Sequence, residues 1–94
     1  MKIVINTGRG RWFGLSKQAE EFIAERKNVF PESITFRYID RTDPDLIVAV
    51  ETLGNKANGE YAELKIVEIP DNVEWEIAEY DGTEWVAEKH RTWS

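Results

Sequence analysis

Cysteine is absent from the 94 residues, which removes disulfides, thiolate nucleophiles and cysteine-based zinc sites in one step. Histidine occurs once, as His90. A His-rich metal site is therefore impossible, and only carboxylates remain to hold a hard cation. No resident metal and no cofactor is expected. Long hydrophobic runs are missing too, since none approaches the roughly 18 residues that a membrane span needs. The opening MKIVIN offers one lysine, a short apolar run and no small-residue cleavage site, so it reads as a retained strand and not as a signal peptide. These absences point to a cytoplasmic protein without a membrane partner.

Basic charge is also scarce. The net charge is −6, distributed as +3 over residues 1–30, −4 over 31–64 and −5 over 65–94. General nucleic-acid binding needs a basic face and is not expected, whereas an acidic surface suits either plain solvation or a basic protein partner. The 41% apolar and 32% charged content fits a globular protein, and the length suits a single domain, 1–94, with one core.

What the sequence does have is an unusual loop at 7–16, TGRGRWFGLS, between an opening strand and a helix. Gly8, Gly10 and Gly14 permit backbone conformations that turn N–H groups inward, and the loop runs into a helix start, where unpaired N–H groups and the positive end of the helix dipole meet. The spacing is neither a dinucleotide fingerprint nor a Walker A loop. Read as an anion site, it offers Arg9, Gly10, Arg11 and Ser16 to a phosphate and Trp12 or Phe13 for stacking. Read as a plain connection, its glycines turn the chain and its aromatics plug the core.

Along the chain, Lys2 to Asn6 reads as a strand buried on both faces because Ile3, Val4 and Ile5 are consecutive and β-branched. A helix follows over about 16–28, N-capped by Ser16, with Leu15, Ala19, Phe22 and Ile23 inward. ITFRYI at 34–39 alternates as a second strand. Asp43 before Pro44 caps a second helix with Leu46, Ile47, Val50 and Leu53 as its stripe, and Gly54 is placed to end it in the left-handed conformation. Asn58-Gly59 marks a turn before a third strand at 63–69. The order β-α-β-α-β-β-β predicts an α+β fold, a mixed sheet of about five strands with a right-handed first crossover and both helices on one face.

Asp81-Gly82 is the dipeptide preferred in two-residue type I′ turns, so 75–80 and 83–89 form a C-terminal β-hairpin. That turn pairs Tyr80 with Thr83, Ala78 with Trp85 and Ile77 with Val86. Trp75, Ile77 and Val86 then share one face, and Tyr80, Trp85 and Ala87 the other. One of these sets is either exposed or covered by the tail through Trp93. Exposed aromatics beside charges suit a binding surface, for which Tyr80, Trp85 and Glu84 are the candidates.

Catalysis finds little to work with. Ser16 with His90 and a carboxylate could be drawn as a triad, but Ser16 is explained by capping and His90 stands near the end of the chain. Asp40, Asp43, Asp45 and the hairpin glutamates are abundant carboxylates, yet Asp43 caps a helix and alternating strand glutamates are ordinarily solvated. The protein is not expected to be an enzyme.

MKIVIN, the glycine-aromatic loop leading into Leu15-Ser16, Asp43-Pro44-Asp45-Leu46 and KIVEIPDNVEWEIAEYDGTEWVAEKHRTW together resemble a group of small, largely uncharacterised proteins of tailed phages and prophages. The likeness spans most of the chain. In the loop, Gly8 to Gly14 departs from the Cys-Tyr-Gly-Gly-Phe type sequence of that group, so no site residue is carried over. The resemblance implies a phage-borne accessory protein in a host cytoplasm, a setting in which small proteins bind and divert host proteins or signalling molecules. Two functions follow as expectations: a non-enzymatic module that binds and modulates a host protein through the hairpin, or a binder that sequesters a phosphorylated nucleotide through the 7–16 loop. A homo-oligomer is compatible with either.

Overall fold

The computed structural model describes residues 1–10 and 12–89. Arg11, His90 and Trp93, each given a role by the sequence, lie outside the described residues. In order, the elements are β1 (Lys2–Asn6), α1 (Lys17–Lys27), α2 (Pro44–Leu53), β2 (Leu64–Glu68), β3 (Trp75–Tyr80) and β4 (Thr83–Glu88), with 3-10 turns at Pro31–Ser33 and Gly54–Ala57. The fold is α+β, but it differs from the expected single sheet. Among the described residues there are four strands in two antiparallel pairs, β1 with β2 and β3 with β4.

Both helices begin on the caps their sequences announce. Ser16 accepts from the Ala19 N–H, and Asn28 closes α1 in the left-handed conformation, donating back to Ala24 and Glu25. Asp43 accepts from the N–H groups of Asp45 and Leu46, with Pro44 at the first helical position, where a missing N–H costs nothing. Gly54 ends α2 with φ 57° and ψ −130°. That conformation is open to glycine but is not the left-handed helical one expected. Ala19, Ile23 and Ala24 of α1 and Leu46, Ala49 and Val50 of α2 join Val4, Phe13, Leu15, Ile34 and Ala57 in one buried cluster. Ile3 and Ile5, on the other pleat of β1, are buried as well.

The second expected strand does not form. Residues 34–39 make turns in which the N–H groups of Tyr38 and Ile39 both donate to Thr35 O, and of the alternating set Ile34 is buried while Phe36 and Tyr38 are exposed. Two local causes are visible. Asp40 accepts from the N–H and hydroxyl of Thr42, a side-chain turn that competes with a ladder. The edge of β1 that such a strand would have joined is already occupied: Val4 N–H donates to Arg41 O, and Val4 O accepts from the Arg41 guanidinium. Without a parallel partner for β1, the expected right-handed crossover has no counterpart, and β1 pairs instead with β2 in the register Ile3 to Val67 and Ile5 to Lys65.

The hairpin register is as the sequence implies, with Tyr80 opposite Thr83, Ala78 opposite Trp85 and Ile77 opposite Val86. Asp81 and Gly82 both have positive φ, 52° and 87°, as a type I′ turn requires.

Candidate functional site

The 7–16 loop and the hairpin, separate candidates in sequence, meet in space. Arg9 and Gly10 line one wall of an open cleft of about 580 Å³ whose other lining residues are Tyr80, Asp81, Thr83 and Trp85. What holds the walls together is Asn6, fully buried at the end of β1. Its side-chain amide donates to Gly82 O in the hairpin turn, at 2.9 Å. Its Oδ1 accepts from the Gly8 N–H at 3.1 Å and from the Glu63 N–H at 2.8 Å. A second tie runs from the Thr83 hydroxyl to Gly8 O, 3.0 Å. Sequence reading passed over Asn6, although a lone amide at the end of an apolar strand run is the type of residue that must find partners when buried.

The described residues of the expected anion site are divided by this arrangement. Arg9 and Gly10 reach the cleft. Trp12 is 63% exposed and Phe13 only 7%, and the Phe13 ring lies under the Arg41 guanidinium at 3.6 Å from its centroid. Ser16 is occupied elsewhere: its hydroxyl donates to Lys56 O at 2.6 Å while accepting from Ala19, and its N–H donates to Ala57 O. The Gly8 N–H is committed to Asn6. The start of α1 is therefore bound to the 3-10 turn after α2, and it takes no part in lining the cleft. Of the five described residues offered to such a ligand, the cleft gathers Arg9 and Gly10.

The hairpin candidates divide as well. Tyr80 is 78% exposed and Trp85 47%, and both face the cleft. Glu84 does not stand with them. Its carboxylate takes the Arg41 guanidinium in two bonds of 2.6 and 2.9 Å and also accepts from the Asn6 N–H at 2.8 Å, with its side chain about 10% exposed. The signal was present in the sequence, because alternation places residue 84 on the pleat opposite 80 and 85. Arg41 was missed altogether. Nothing near it in the chain marks it, and its side-chain hydrogen-bond partners lie 37 and 43 residues away.

Charge around the cleft is mixed. Arg9 makes no ion pair or hydrogen bond among the described residues, and Asp81 lines the same cleft from the turn, its Oδ2 3.9 Å from the position a Gly10 side chain would take. Glu79 accepts from the Gly82 N–H at 2.6 Å and so stabilises the turn. No three acidic or histidine side chains among the described residues come together as a metal site. No described helix is long and apolar enough to cross a membrane.

Compared with known proteins, the chain matches no family model, no curated protein and no solved structure.

Proposed function

We propose that this chain is a non-catalytic accessory protein that engages and modulates a partner protein through the cleft between the glycine loop and the hairpin turn. The observation that carries the reading is the pair of large aromatics, Tyr80 and Trp85, exposed side by side over that cleft. Large amphipathic rings gain much on burial and lose little side-chain freedom, which is why Tyr and Trp recur at the centres of protein interfaces. If the resemblance to phage proteins holds, the partner is a host protein in the host cytoplasm.

A second reading keeps Arg9 as its support: a guanidinium without an ion pair among the described residues, in one cleft with two rings and of a size usual for small ligands, could take a phosphorylated nucleotide. Asp81 in the same cleft, and the engagement of Phe13 and Ser16 elsewhere, speak for the first reading. The test is affinity capture from host lysate with the wild-type protein and with Tyr80→Ala/Trp85→Ala, after thermal melting has verified that both fold. A partner retained by the wild type and lost by the double variant is expected. A partner held equally by both overturns the cleft as the interface.

A further inference from the structure

The hairpin arm is acidic as well as aromatic. Residues 74–89 hold Glu74, Glu76, Glu79, Asp81, Glu84 and Glu88 against Lys89 alone. Arg41 neutralises Glu84, and no other carboxylate of the arm has an ion pair among the described residues. On the cleft side the register makes Tyr80 and Trp85 diagonal neighbours, with the small Ala78 opposite Trp85. Diagonal pairs across an antiparallel ladder stand roughly 7–8 Å apart, within joint reach of one long side chain. Asp81 follows Tyr80 directly at the turn and lines the same cleft.

We infer that the occupant is a basic segment of the partner protein, with one arginine or lysine side chain laid across Tyr80 and Trp85 and its cationic head at Asp81. This rests on the protein-binding reading above and names the chemistry of the partner. An aromatic face attracts a cation through its quadrupole, most strongly for the indole, and a carboxylate beside it supplies a charged acceptor. The surrounding carboxylates add a field of the same sign that draws a basic segment in and repels a polyanion. Arg9 is the informative exception. It stands on the opposite wall and repels a cationic head, whereas it would be the principal contact of a phosphate.

The two occupants thus predict opposite signs at one residue. The probe is a peptide of about ten residues carrying three arginines among glycines and serines, with a glutamate counterpart and ADP as the contrasting ligands. Binding is followed by amide and indole nitrogen–proton spectra at two ionic strengths. The arginine peptide is expected to move the Trp85 indole and the amides of 78–85, and to bind more weakly in high salt. Trp85→Ala and the more exposed Tyr80→Ala should each weaken it by roughly two- to thirtyfold. Asp81→Asn should weaken it too, and Arg9→Ala should bind it no less tightly than the wild type.

If the glutamate peptide or ADP moves the same signals and Arg9→Ala abolishes that response, the basic occupant is wrong while the cleft remains a binding surface. If the arginine peptide does not bind, or binds indifferently to Tyr80, Trp85 and Asp81, the inference also fails. The capture experiment then decides the protein-binding reading separately.

Discussion

Glu84 and Arg41 show what a single pair can organise. Glu79 and Glu84 face each other directly across the hairpin, an arrangement that on its own is repulsive. It is tolerated because each carboxylate is engaged, Glu79 by the turn and Glu84 by Arg41 and the Asn6 N–H. The pair is only about 21% and 10% exposed, so removing one partner leaves the other charge largely buried. Glu84→Ala should therefore cost about 3–5 kcal/mol. Glu84→Gln should cost less, because an amide oxygen can still accept from Asn6. Arg41→Lys should behave more like the alanine change than its chemistry suggests, since an ammonium can neither grip the carboxylate in two places nor lie flat on Phe13. Urea midpoints at pH 7 check the ranking, and equal midpoints for Glu84→Gln and Glu84→Ala would falsify the role given to the Asn6 bond. None of this was legible at Arg41, because a pairing across 43 positions leaves no local pattern. At Glu84 the alternation was legible, and it contradicted grouping this residue with Trp85.

Elements were legible where their causes are local. Ser16, Asp43 and Asp81-Gly82 act within two or three residues of themselves, and each does in the structure what its chemistry dictates. ITFRYI has the composition of a strand but lacks an edge to pair with, and strand propensity is largely a statement about neighbours. Gly59 is an intermediate case. Asn58-Gly59 was expected only to turn the chain, yet the glycine is needed for close approach: a Cβ there would stand 2.7 Å from the Gly14 carbonyl carbon, and Gly59 N–H donates to Gly14 O. The approach joins the loop before α1 to the segment before β2, alongside the bridge of Leu15 with Asn58. Since both atoms are backbone, neither can swing aside. Gly59→Ala should destabilise by about 1–3 kcal/mol, while Gly14→Ala, whose Cβ would meet nothing closer than 3.9 Å, should be much milder. Thermal melts of the two variants test this, and similar shifts in both would remove the close-approach account.

At the scale of the whole molecule, the two helices are joined by charge as well as by their apolar cluster. Arg26 and Lys27 in the last turn of α1 meet Asp43 and Asp45 at the start of α2, with Lys27 Nζ at 2.7 and 3.0 Å from the two carboxylates and Arg26 Nε at 3.0 Å from Asp45. Each charge also suits the end of the helix dipole it occupies. Hydrogen bonds from Lys27 and then Arg26 hold the Asp45 carboxyl below its ordinary range. Asp40 is lowered by its bonds from Thr42, and Asp71 by the terminal ammonium. A carboxyl lowered in the folded state favours folding above its unfolded pKa of about 3.9, and that contribution disappears as pH falls through the folded value. Lys27 is raised by its bonds to Asp43 and Asp45, so its contribution is present below about 10.4 and is lost as pH rises through its folded value. Glu20 works the other way. Burial and then Glu21 raise its pKa, so acidification relieves a strain there and offsets part of the loss. The expected profile is a plateau through neutral pH with stability falling below about pH 4. Asp45→Asn should lower the plateau and flatten the acid limb, because its amide binds no proton in either state. Urea unfolding of both proteins from pH 7 to pH 2.5 measures this. Parallel acid limbs in the two proteins would mean that the helix-to-helix ion pairs contribute nothing to acid sensitivity.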